Sequence, residues 1–226
     1  MKLKILTILA ASLTISTGAS ANLIDNGDFS NGFTGFSSQY TLSTNLQPEG
    51  TYTVGSDPSA YHPQFVSVTG DNPMLLANGA PASNPNLVLL GYQGTVTDGG
   101  YYAFSASVMN ICCKNPFGAP STLEFQIRQG NDPFAKIAEF STTPPTDAGV
   151  QKTAVSLSPF FLQAGIFDFR IIDSVTTAGG NDFAVDNLSI EAAAVPGPIV
   201  GAGFPGLLMA LGGLVVLARR RRATAA

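Results

Sequence analysis

Leu123-Glu124-Phe125-Gln126-Ile127-Arg128 alternates apolar and polar side chains at every position, and Phe167-Asp168-Phe169-Arg170-Ile171 repeats the alternation. Successive side chains of a β-strand point to opposite faces of a sheet, so this period of two predicts strands with one buried and one exposed face. A third strand candidate carries its apolar side chains at Tyr102, Phe104, Ala106 and Val108. Together these segments predict an all-β fold.

Further strand candidates occur between turn-forming sequences such as Asn78-Gly79 and Asp98-Gly99-Gly100. They are Thr51–Val54, Gln64–Val68, Pro73–Leu76, Leu87–Tyr92, Lys136–Phe140, Lys152–Leu157 and Phe183–Ile190. The chain holds 24 Gly and 15 Pro, and no stretch of 22–191 has the apolar stripe of an amphipathic helix. About ten short strands of this kind predict one domain over 22–191, a two-sheet β-sandwich.

The charge is distributed unevenly along the chain. Residues 22–191 hold all 15 Asp and Glu but only five of the 11 Lys and Arg. An acidic body of this kind repels a phosphate backbone, which excludes nucleic acid as a partner. The single histidine, His62, excludes mechanisms that need two imidazole side chains.

Residues 1–21 have the three-part order of a secretory signal peptide. Two lysines supply the positive charge, an apolar stretch follows, and Ala19-Ser20-Ala21 offers signal peptidase a small-x-small cleavage site. The alternative is an N-terminal helix of the fold. We expect export, with a mature chain that starts near Asn22.

Residues 199–218 form an uncharged stretch of 20 residues, followed at once by Arg219, Arg220, Arg221 and Arg222. As a helix, such a stretch spans about 30 Å, the thickness of a bilayer core. An arginine block beside it stays on the cytoplasmic side. We expect a transmembrane helix at 199–218 and a cytoplasmic tail at 219–226, with the body anchored outside the inner membrane. The alternative is a buried core helix of a soluble protein.

The linker 192–198 ends in Val195, Pro196, Gly197 and Pro198, directly before the apolar stretch. A short Pro-containing motif, an apolar helix and a terminal arginine cluster, in this order, resemble the PEP-CTERM protein-sorting signal. The resemblance implies that an exosortase in the inner membrane recognises the motif and removes the tail, so that the protein reaches the cell surface or the extracellular matrix. Gly197 departs from the family, which has glutamate there, and the Val-Pro-Gly-Pro form looks like a recurring variant.

The body opens with Asn22-Leu23-Ile24-Asp25-Asn26-Gly27-Asp28-Phe29-Ser30 and closes with Phe183-Ala184-Val185-Asp186-Asn187-Leu188-Ser189-Ile190. Between them, Gly100-Tyr101-Tyr102-Ala103-Phe104-Ser105 starts the central strand. This order resembles the galactose-binding-like jelly rolls, which include carbohydrate-binding modules. The resemblance implies that the opening and closing segments are neighbouring strands.

Asp186 is the candidate metal ligand of the closing segment. By alternation it shares a face with Ala184, Leu188 and Ile190. A carboxylate on a core face needs hydrogen-bond donors or a cation. The jelly-roll resemblance implies a structural Ca²⁺ at Asp186, with Ser30 in place of the family's other carboxylate and Asp28 or Asp25 as substitutes. The alternative is an aspartate that accepts hydrogen bonds from backbone amides.

Cys112 and Cys113 are adjacent. Two thiols in an oxidising compartment are expected to pair, although neighbouring Cα atoms lie about 3.8 Å apart, below the usual disulfide range. Three interpretations stay open: a disulfide between neighbours that stiffens the loop, a redox-active disulfide, and thiols that are free or bridged to another molecule.

The sequence assigns no catalytic residue, because it has neither a nucleophile elbow nor a phosphate-cradling glycine loop. A pair of carboxylates for glycoside hydrolysis is assembled in space and cannot be identified from sequence. Flat aromatic faces suit sugar contact, but the sequence does not single out one of them. The candidates are Tyr40, Tyr52, Tyr61, Tyr92, Tyr101 and Tyr102, of which Tyr102 is expected in the core and Tyr101 outside it.

We therefore expect an exported, non-catalytic surface or matrix protein with a structural, adhesive or weak glycan-binding role in extracellular polysaccharide or biofilm. One alternative is a secreted carbohydrate-active enzyme or its carbohydrate-binding module. Another is a membrane-retained redox or sensor protein.

Overall fold

A computed structural model describes residues 21–68, 72–84, 86–113, 121–142, 148–175 and 180–193. Within these ranges the chain forms eleven strands and one short 3₁₀ turn, Pro58–Ala60. The strands are β1 (Thr41–Leu42), β2 (Thr51–Gly55), β3 (Met74–Asn78), β4 (Val88–Val96), β5 (Gly100–Asn110), β6 (Thr122–Gln129), β7 (Ala135–Ser141), β8 (Gln151–Val155), β9 (Phe160–Leu162), β10 (Gly165–Asp173) and β11 (Phe183–Ala192).

The strands form two sheets. The seven-stranded sheet has the order β1-β2-β3-β11-β5-β8, and β9 also pairs with β5. The four-stranded sheet has the order β4-β10-β6-β7. All of these pairs are antiparallel except β1 with β2. The prediction of an all-β, two-sheet sandwich is confirmed.

The core lies between the two sheets and is rich in phenylalanine. Phe104 of β5 contacts Phe125 of β6 and Phe169 of β10, with ring centroids 4.7 and 5.5 Å apart. All three rings are buried. Their contact joins the inner face of the seven-stranded sheet to that of the four-stranded sheet, as the period-two pattern of these segments requires.

The predicted strand at Gln64–Val68 is wrong, because this segment forms a turn and an irregular stretch. Phe65 N–H donates to the carbonyl of His62 at 3.1 Å, and the two rings stack at 4.4 Å. Pro63 has no N–H to donate to a strand ladder, which favours the turn. The short strands β1 and β9 were not predicted, because two or three residues carry too little alternation.

The opening segment runs beside β11 without forming a regular strand. Leu23 N–H donates to the carbonyl of Ile190 at 2.8 Å, and Leu188 N–H donates to the carbonyl of Gly27 at 2.9 Å. A Cβ on Gly27 would lie 2.1 Å from the Leu188 carbonyl oxygen, so only glycine fits this approach. The two ends of the body are therefore neighbours.

Candidate functional site

The outward face of the four-stranded sheet carries a continuous row of polar side chains. Asp168 and Arg170 of β10 point outward, because the residues that alternate with them are buried in the core. The pairing register places Gln93 of β4 and Arg128 of β6 on either side of Asp168. We call this row the polar strip, and it consists of Gln93, Glu124, Gln126, Arg128, Lys136, Asp168 and Arg170.

Asp168 holds one end of the polar strip together. Gln93 Nε2 donates to Asp168 Oδ1 at 3.0 Å, and Arg128 Nε donates to Asp168 Oδ2 at 2.9 Å. These two bonds, that from Gln93 first, hold the pKa of Asp168 below its ordinary value against the opposing effect of burial. The carboxylate is therefore ionised at neutral pH and fixed in orientation across three strands.

Arg170 starts a second chain of contacts along the polar strip. Its Nε donates to Gln126 Oε1 at 2.8 Å, and Gln126 Nε2 donates to Glu124 Oε2 at 2.7 Å. Lys136 Nζ lies 3.6 Å from Glu124 Oε1 and also pairs with Glu139. Three strands thus contribute planar amide, guanidinium and carboxylate groups that hold one another in place.

Phe134 lies against the two arginines of the polar strip. The guanidinium carbon of Arg170 is 3.8 Å from the ring centroid, and that of Arg128 is 4.5 Å away. Phe134 comes directly before β7, at the end of the turn that follows β6. Cation–π attraction of this kind contributes roughly 0.5–1 kcal/mol at a partly exposed site and fixes the planes of both guanidinium groups.

Two adjoining hollows open on this face. The first has about 380 Å³ and includes Ser37, Gly91, Phe134 and Arg170 in its lining. Gly91 pairs with Arg170 in the β4–β10 ladder, and Ser37 packs against it, because a Cβ on Gly91 would lie 2.8 Å from Ser37 Oγ. The second hollow has about 780 Å³, and Gln93 and Asp168 line both. The remaining polar lining of the second comes from Gln129, Asn131, Asp132 and Gln163.

A smaller hollow of about 100 Å³ lies on the outward face of the seven-stranded sheet. Its lining is mostly apolar and includes Val68, Met74 and Met109, with Asp186 at the margin. It is too small for a sugar ring and offers few hydrogen-bonding groups, so it is a poor candidate for a polar ligand.

The structure corrects the predicted orientation of Asp186. The register of β11 against β5 shifts between Asp186 and Ser189, and Asn187 has a φ of 51°. This bulge turns Leu188 and Ile190 to the inner core while Asp186 stays on the outward face, half-buried. The uninterrupted alternation on which the prediction rested is broken by the inserted residue.

Asp28 and Asp186, the predicted calcium ligands, lie close enough to interact electrostatically. Burial, and then the charge of Asp28, raise the pKa of Asp186 above its ordinary value, although a bond from the Asn187 N–H opposes the shift. Asp28 Oδ1 accepts from the N–H and hydroxyl of Ser30, which lowers the pKa of Asp28. Two carboxylates supply part of the six to eight oxygens that Ca²⁺ takes. Ca²⁺ at this pair would need further oxygen ligands, and its binding there stays a prediction.

Cys112 and Cys113 form a disulfide with each other in this structure. The carboxylate of Asp182 lies within 4.8 Å of both sulfurs and was not among the predicted residues. Asp182 is buried, and its Oδ1 has no hydrogen-bond partner among the residues that the structure describes. Burial raises its pKa to about 7. The sulfurs are bonded to each other, so this group supplies no thiolate for a metal.

A second acid, Asp173, is fully buried at the end of β10. Its carboxylate accepts bonds from the N–H groups of Thr122 and Val175 and from Asn181 Nδ2, at 3.1 to 3.3 Å. Burial outweighs these bonds and raises the pKa of Asp173 to about 6. Its contacts tie β10 to β6 and to the segment before β11, which is a structural role.

Most of the candidate tyrosines are unavailable to a ligand. Tyr40, Tyr52 and Tyr102 are buried in the core, as expected for Tyr102. Tyr92 is half-buried, and its hydroxyl donates to the Leu23 carbonyl at 3.0 Å. Tyr101 is 53% exposed, as predicted, and contacts the exposed ring of Phe161 at 5.4 Å on the seven-stranded sheet.

The sequence did not single out Phe134 as a site residue. Its one signal was an aromatic side chain directly after the turn-forming Asn131-Asp132-Pro133. The polar halves of β6 and β10 were visible in their alternation. Whether the polar sides of these two strands lie next to each other in one sheet depends on strand order, which the local sequence pattern does not determine.

The sorting motif Val195, Pro196, Gly197 and Pro198, the predicted transmembrane stretch and the four terminal arginines lie outside the described residues, as does the signal peptide up to residue 20. In the part of the chain that the structure describes, no helix has the length and apolar character needed to cross a membrane.

Comparisons with known proteins gave structural neighbours only. No protein-family model matches the chain, and no curated protein matches it. The sugar-binding C-terminal domain of EclA is 17% identical, over 61% of this chain and 89% of that one, with a TM-score of 0.42. The CBM22-1 xylan-binding domain of Paenibacillus barcinonensis Xyn10C is 14% identical, over 79% and 100% of the two chains, with a TM-score of 0.48.

A further xylan-binding domain of carbohydrate-binding module family 22 is 12% identical over 80% of this chain and 98% of its own, with a TM-score of 0.45. At these identities and scores, the similarity assigns neither a family nor a ligand to this chain. The case for a function rests on the polar strip itself.

Proposed function

We propose that the β-sandwich is a non-catalytic glycan-binding module and that the polar strip is its binding face. The observation that carries the proposal is the set of hydrogen bonds that locks Gln93, Asp168 and Arg128 across three strands. Sugar hydroxyl groups both donate and accept hydrogen bonds, and a row of fixed amides, carboxylates and guanidinium groups offers both functions. Side chains that are already ordered lose little entropy when a ligand binds.

The shape of the face supports an extended ligand. Gln93 and Asp168 line both hollows, so the two hollows form one continuous surface. A chain of sugar units that lies along the sheet would contact the polar groups of one hollow and then those of the other. Both hollows are open to solvent on a sheet surface, which suits the side of a polymer better than a small molecule that must be enclosed.

The protonation states on this face support binding without hydrolysis. A glycosidase needs one carboxyl group that stays protonated near neutral pH to act as a general acid. The pKa of Asp168 is lowered, so its carboxyl group is ionised. The two acids with strongly raised pKa values, Asp173 and Asp182, are buried and lie outside the lining of the two hollows.

We further propose that the protein is exported, anchored in the inner membrane by 199–218 and sorted by an exosortase to the surface or the extracellular matrix. The sequence features at both ends support this route, in particular Val195-Pro196-Gly197-Pro198 followed by an apolar stretch and Arg219–Arg222. A glycan-binding body delivered by this route serves as an adhesive or structural component of extracellular polysaccharide.

Affinity electrophoresis tests the binding proposal. The full chain, in mild detergent, is run through gels that contain soluble xylan, mixed-linkage β-glucan, galactomannan or the polysaccharide from the matrix of the producing cells. We expect retardation in at least one gel, lost in the double variant Gln93→Ala/Arg128→Ala. Gln151→Ala, on an exposed position of β8, is the matched control. Retardation that the double variant keeps would contradict the assignment of the face, and release of reducing sugar would favour the enzyme alternative.

Intact-mass measurement of the native protein in membrane and matrix fractions tests the sorting proposal. A matrix species that starts near Asn22 and ends near Val195-Pro196 is the expected result. A membrane species that still carries Arg219–Arg222, with none in the matrix, would overturn it.

A further inference from the structure

We infer that the hollow beside Arg170 binds the carboxylate of an acidic sugar, so that the glycan recognised by the polar strip contains uronic acid units. This inference rests on the proposed function and names the class of glycan. It begins with the way charges are distributed over the face.

Arg170 differs from the other cations of the polar strip in its partners. Arg128 pairs with Asp168 at 2.9 Å, and Lys136 pairs with both Glu124 and Glu139. Arg170 forms no ion pair with any carboxylate in the described ranges of the chain. Glu124 acts on it only at longer range, since that carboxylate is engaged by Lys136 and Gln126.

The guanidinium of Arg170 is held with its terminal amino groups uncommitted. Nε donates to Gln126 Oε1, and the plane of the group lies against the Phe134 ring. The terminal amino groups donate no hydrogen bond to a described residue. A guanidinium fixed in this way offers the paired N–H groups that match the two oxygens of a carboxylate.

The space beside Arg170 fits a sugar ring. Gly91 is its partner in the β4–β10 register and contributes no side chain, and the hollow of about 380 Å³ opens there. Ser37 covers Gly91, since a Cβ there would lie 2.8 Å from Ser37 Oγ, so the Ser37 hydroxyl lines the hollow together with the guanidinium. Arg170 is half-buried in this hollow, where partial exclusion of water strengthens a charge-assisted bond.

The net charge of the body opposes a general attraction to polyanions, because residues 22–191 hold 15 acidic side chains against five basic ones. The negative charge of the body repels every acidic polymer, but physiological salt screens this repulsion beyond about 8 Å. Binding of an acidic polymer is therefore decided by short-range contacts. Retention of an acidic glycan on this face therefore requires a local cation, and Arg170 is the cation of the polar strip that has no carboxylate partner among the described residues.

The test compares acidic polymers with their own neutral forms. The full chain in mild detergent, at 150 mM salt, is titrated with polygalacturonate, alginate and hyaluronan, each beside the same polymer after chemical reduction of its carboxyl groups to alcohols. At least one acidic polymer is expected to bind about tenfold more tightly than its reduced form, the effect of one charge-assisted bidentate contact. Arg170→Gln is expected to abolish this difference, so that the variant binds the acidic polymer and its reduced form with equal affinity.

Lys152→Gln is the matched control, because it removes one positive charge from the seven-stranded sheet and is expected to change neither affinity. Equal affinity for every acidic polymer and its reduced form, or equal loss on Arg170→Gln and Lys152→Gln, would overturn the inference. Equal or tighter binding of dextran sulfate would overturn it as well, since that result indicates general oxyanion attraction. Binding of neutral polymers that depends on Gln93 and Arg128 would still support the proposed function, so failure of the two proposals is distinguishable.

Discussion

The guanidinium of Arg170 and the ring of Phe134 are in cation–π contact at 3.8 Å on the outward face of the four-stranded sheet. Arg170 belongs to β10, whereas Phe134 precedes β7, at the opposite end of the sheet order from β4. The contact therefore draws the turn after β6 onto the middle of the sheet. It also fixes the one cation of the polar strip that has no carboxylate partner among the described residues.

Phe134→Ala is expected to lower the affinity for the bound polysaccharide by about tenfold, because both guanidinium groups lose the surface that orients them. The free energy of unfolding should fall by about 1 kcal/mol. Affinity electrophoresis and urea unfolding measure the two effects. Phe161→Ala is the matched control, an exposed aromatic that contacts Tyr101 on the other sheet. Equal losses of affinity in both variants would contradict the account.

The buried acids Asp173 and Asp182 predict that the protein is more stable at pH 5 than at pH 8. Their pKa values are about 6 and about 7 in the folded state, against an ordinary value of 3.8. Between these limits the folded state binds more protons than the unfolded state, so stability falls as the pH rises through this window. Below about pH 4 the trend reverses, because acids with lowered pKa values such as Asp168 become protonated.

Asp182→Asn is expected to remove part of this pH dependence and to stabilise the protein at pH 8 by roughly 1–3 kcal/mol. The measurement is thermal unfolding across pH 5 to 8. Asp28→Asn is the control, since the pKa of this exposed acid is lowered and the variant should not gain stability at pH 8. A variant at Asp182 that shows the same slope as the parent would contradict the assignment of the raised pKa.

If Ca²⁺ binds at Asp28 and Asp186, millimolar calcium is expected to raise the melting temperature of the full chain by several degrees. EDTA should reverse the increase, and Asp186→Asn should abolish it. Asp98→Asn, a change of an exposed acid in the turn between β4 and β5, is the control and should leave the calcium response intact. A melting temperature that calcium does not change would reject the metal site.

Gly27→Ala is expected to destabilise the fold by about 1–3 kcal/mol or more, because the new methyl group would lie 2.1 Å from the Leu188 carbonyl oxygen. The approach of the opening segment to β11 would have to give way. Gly100→Ala is the matched control, since its methyl group would meet nothing closer than 3.9 Å. Urea unfolding of the two variants should differ clearly, and similar curves would contradict the close approach.

Local alternation was sufficient to predict the long strands. In β6 and β10 the inward and outward sides follow from the sequence, so Phe125 and Phe169 face the core while Gln126 and Arg170 lie on the opposite side of the sheet. The bulge at Asn187 could not be predicted in this way, because one inserted residue changes the face of every residue beyond it.

The candidate site was only half visible in the sequence. The polar side of each strand could be predicted from the alternation of its residues. The neighbours of β10 are β4 and β6, however, and both are distant from β10 in sequence. Strand order is a long-range property, set by which apolar faces bury one another. Phe134 was missed for a related reason, since a turn residue has no period that indicates what it covers.

Hydroxyl-radical footprinting of the full chain, with and without the polysaccharide from the producing cells' own matrix, tests whether the outward face of the four-stranded sheet binds the glycan. Aromatic side chains react with hydroxyl radicals, and each of the two sheets carries solvent-accessible aromatic residues. The account predicts protection of Phe134 on the four-stranded sheet, with Tyr101 and Phe161 on the seven-stranded sheet unchanged. Protection of Tyr101 and Phe161 without Phe134, or protection of none of the three, would contradict it.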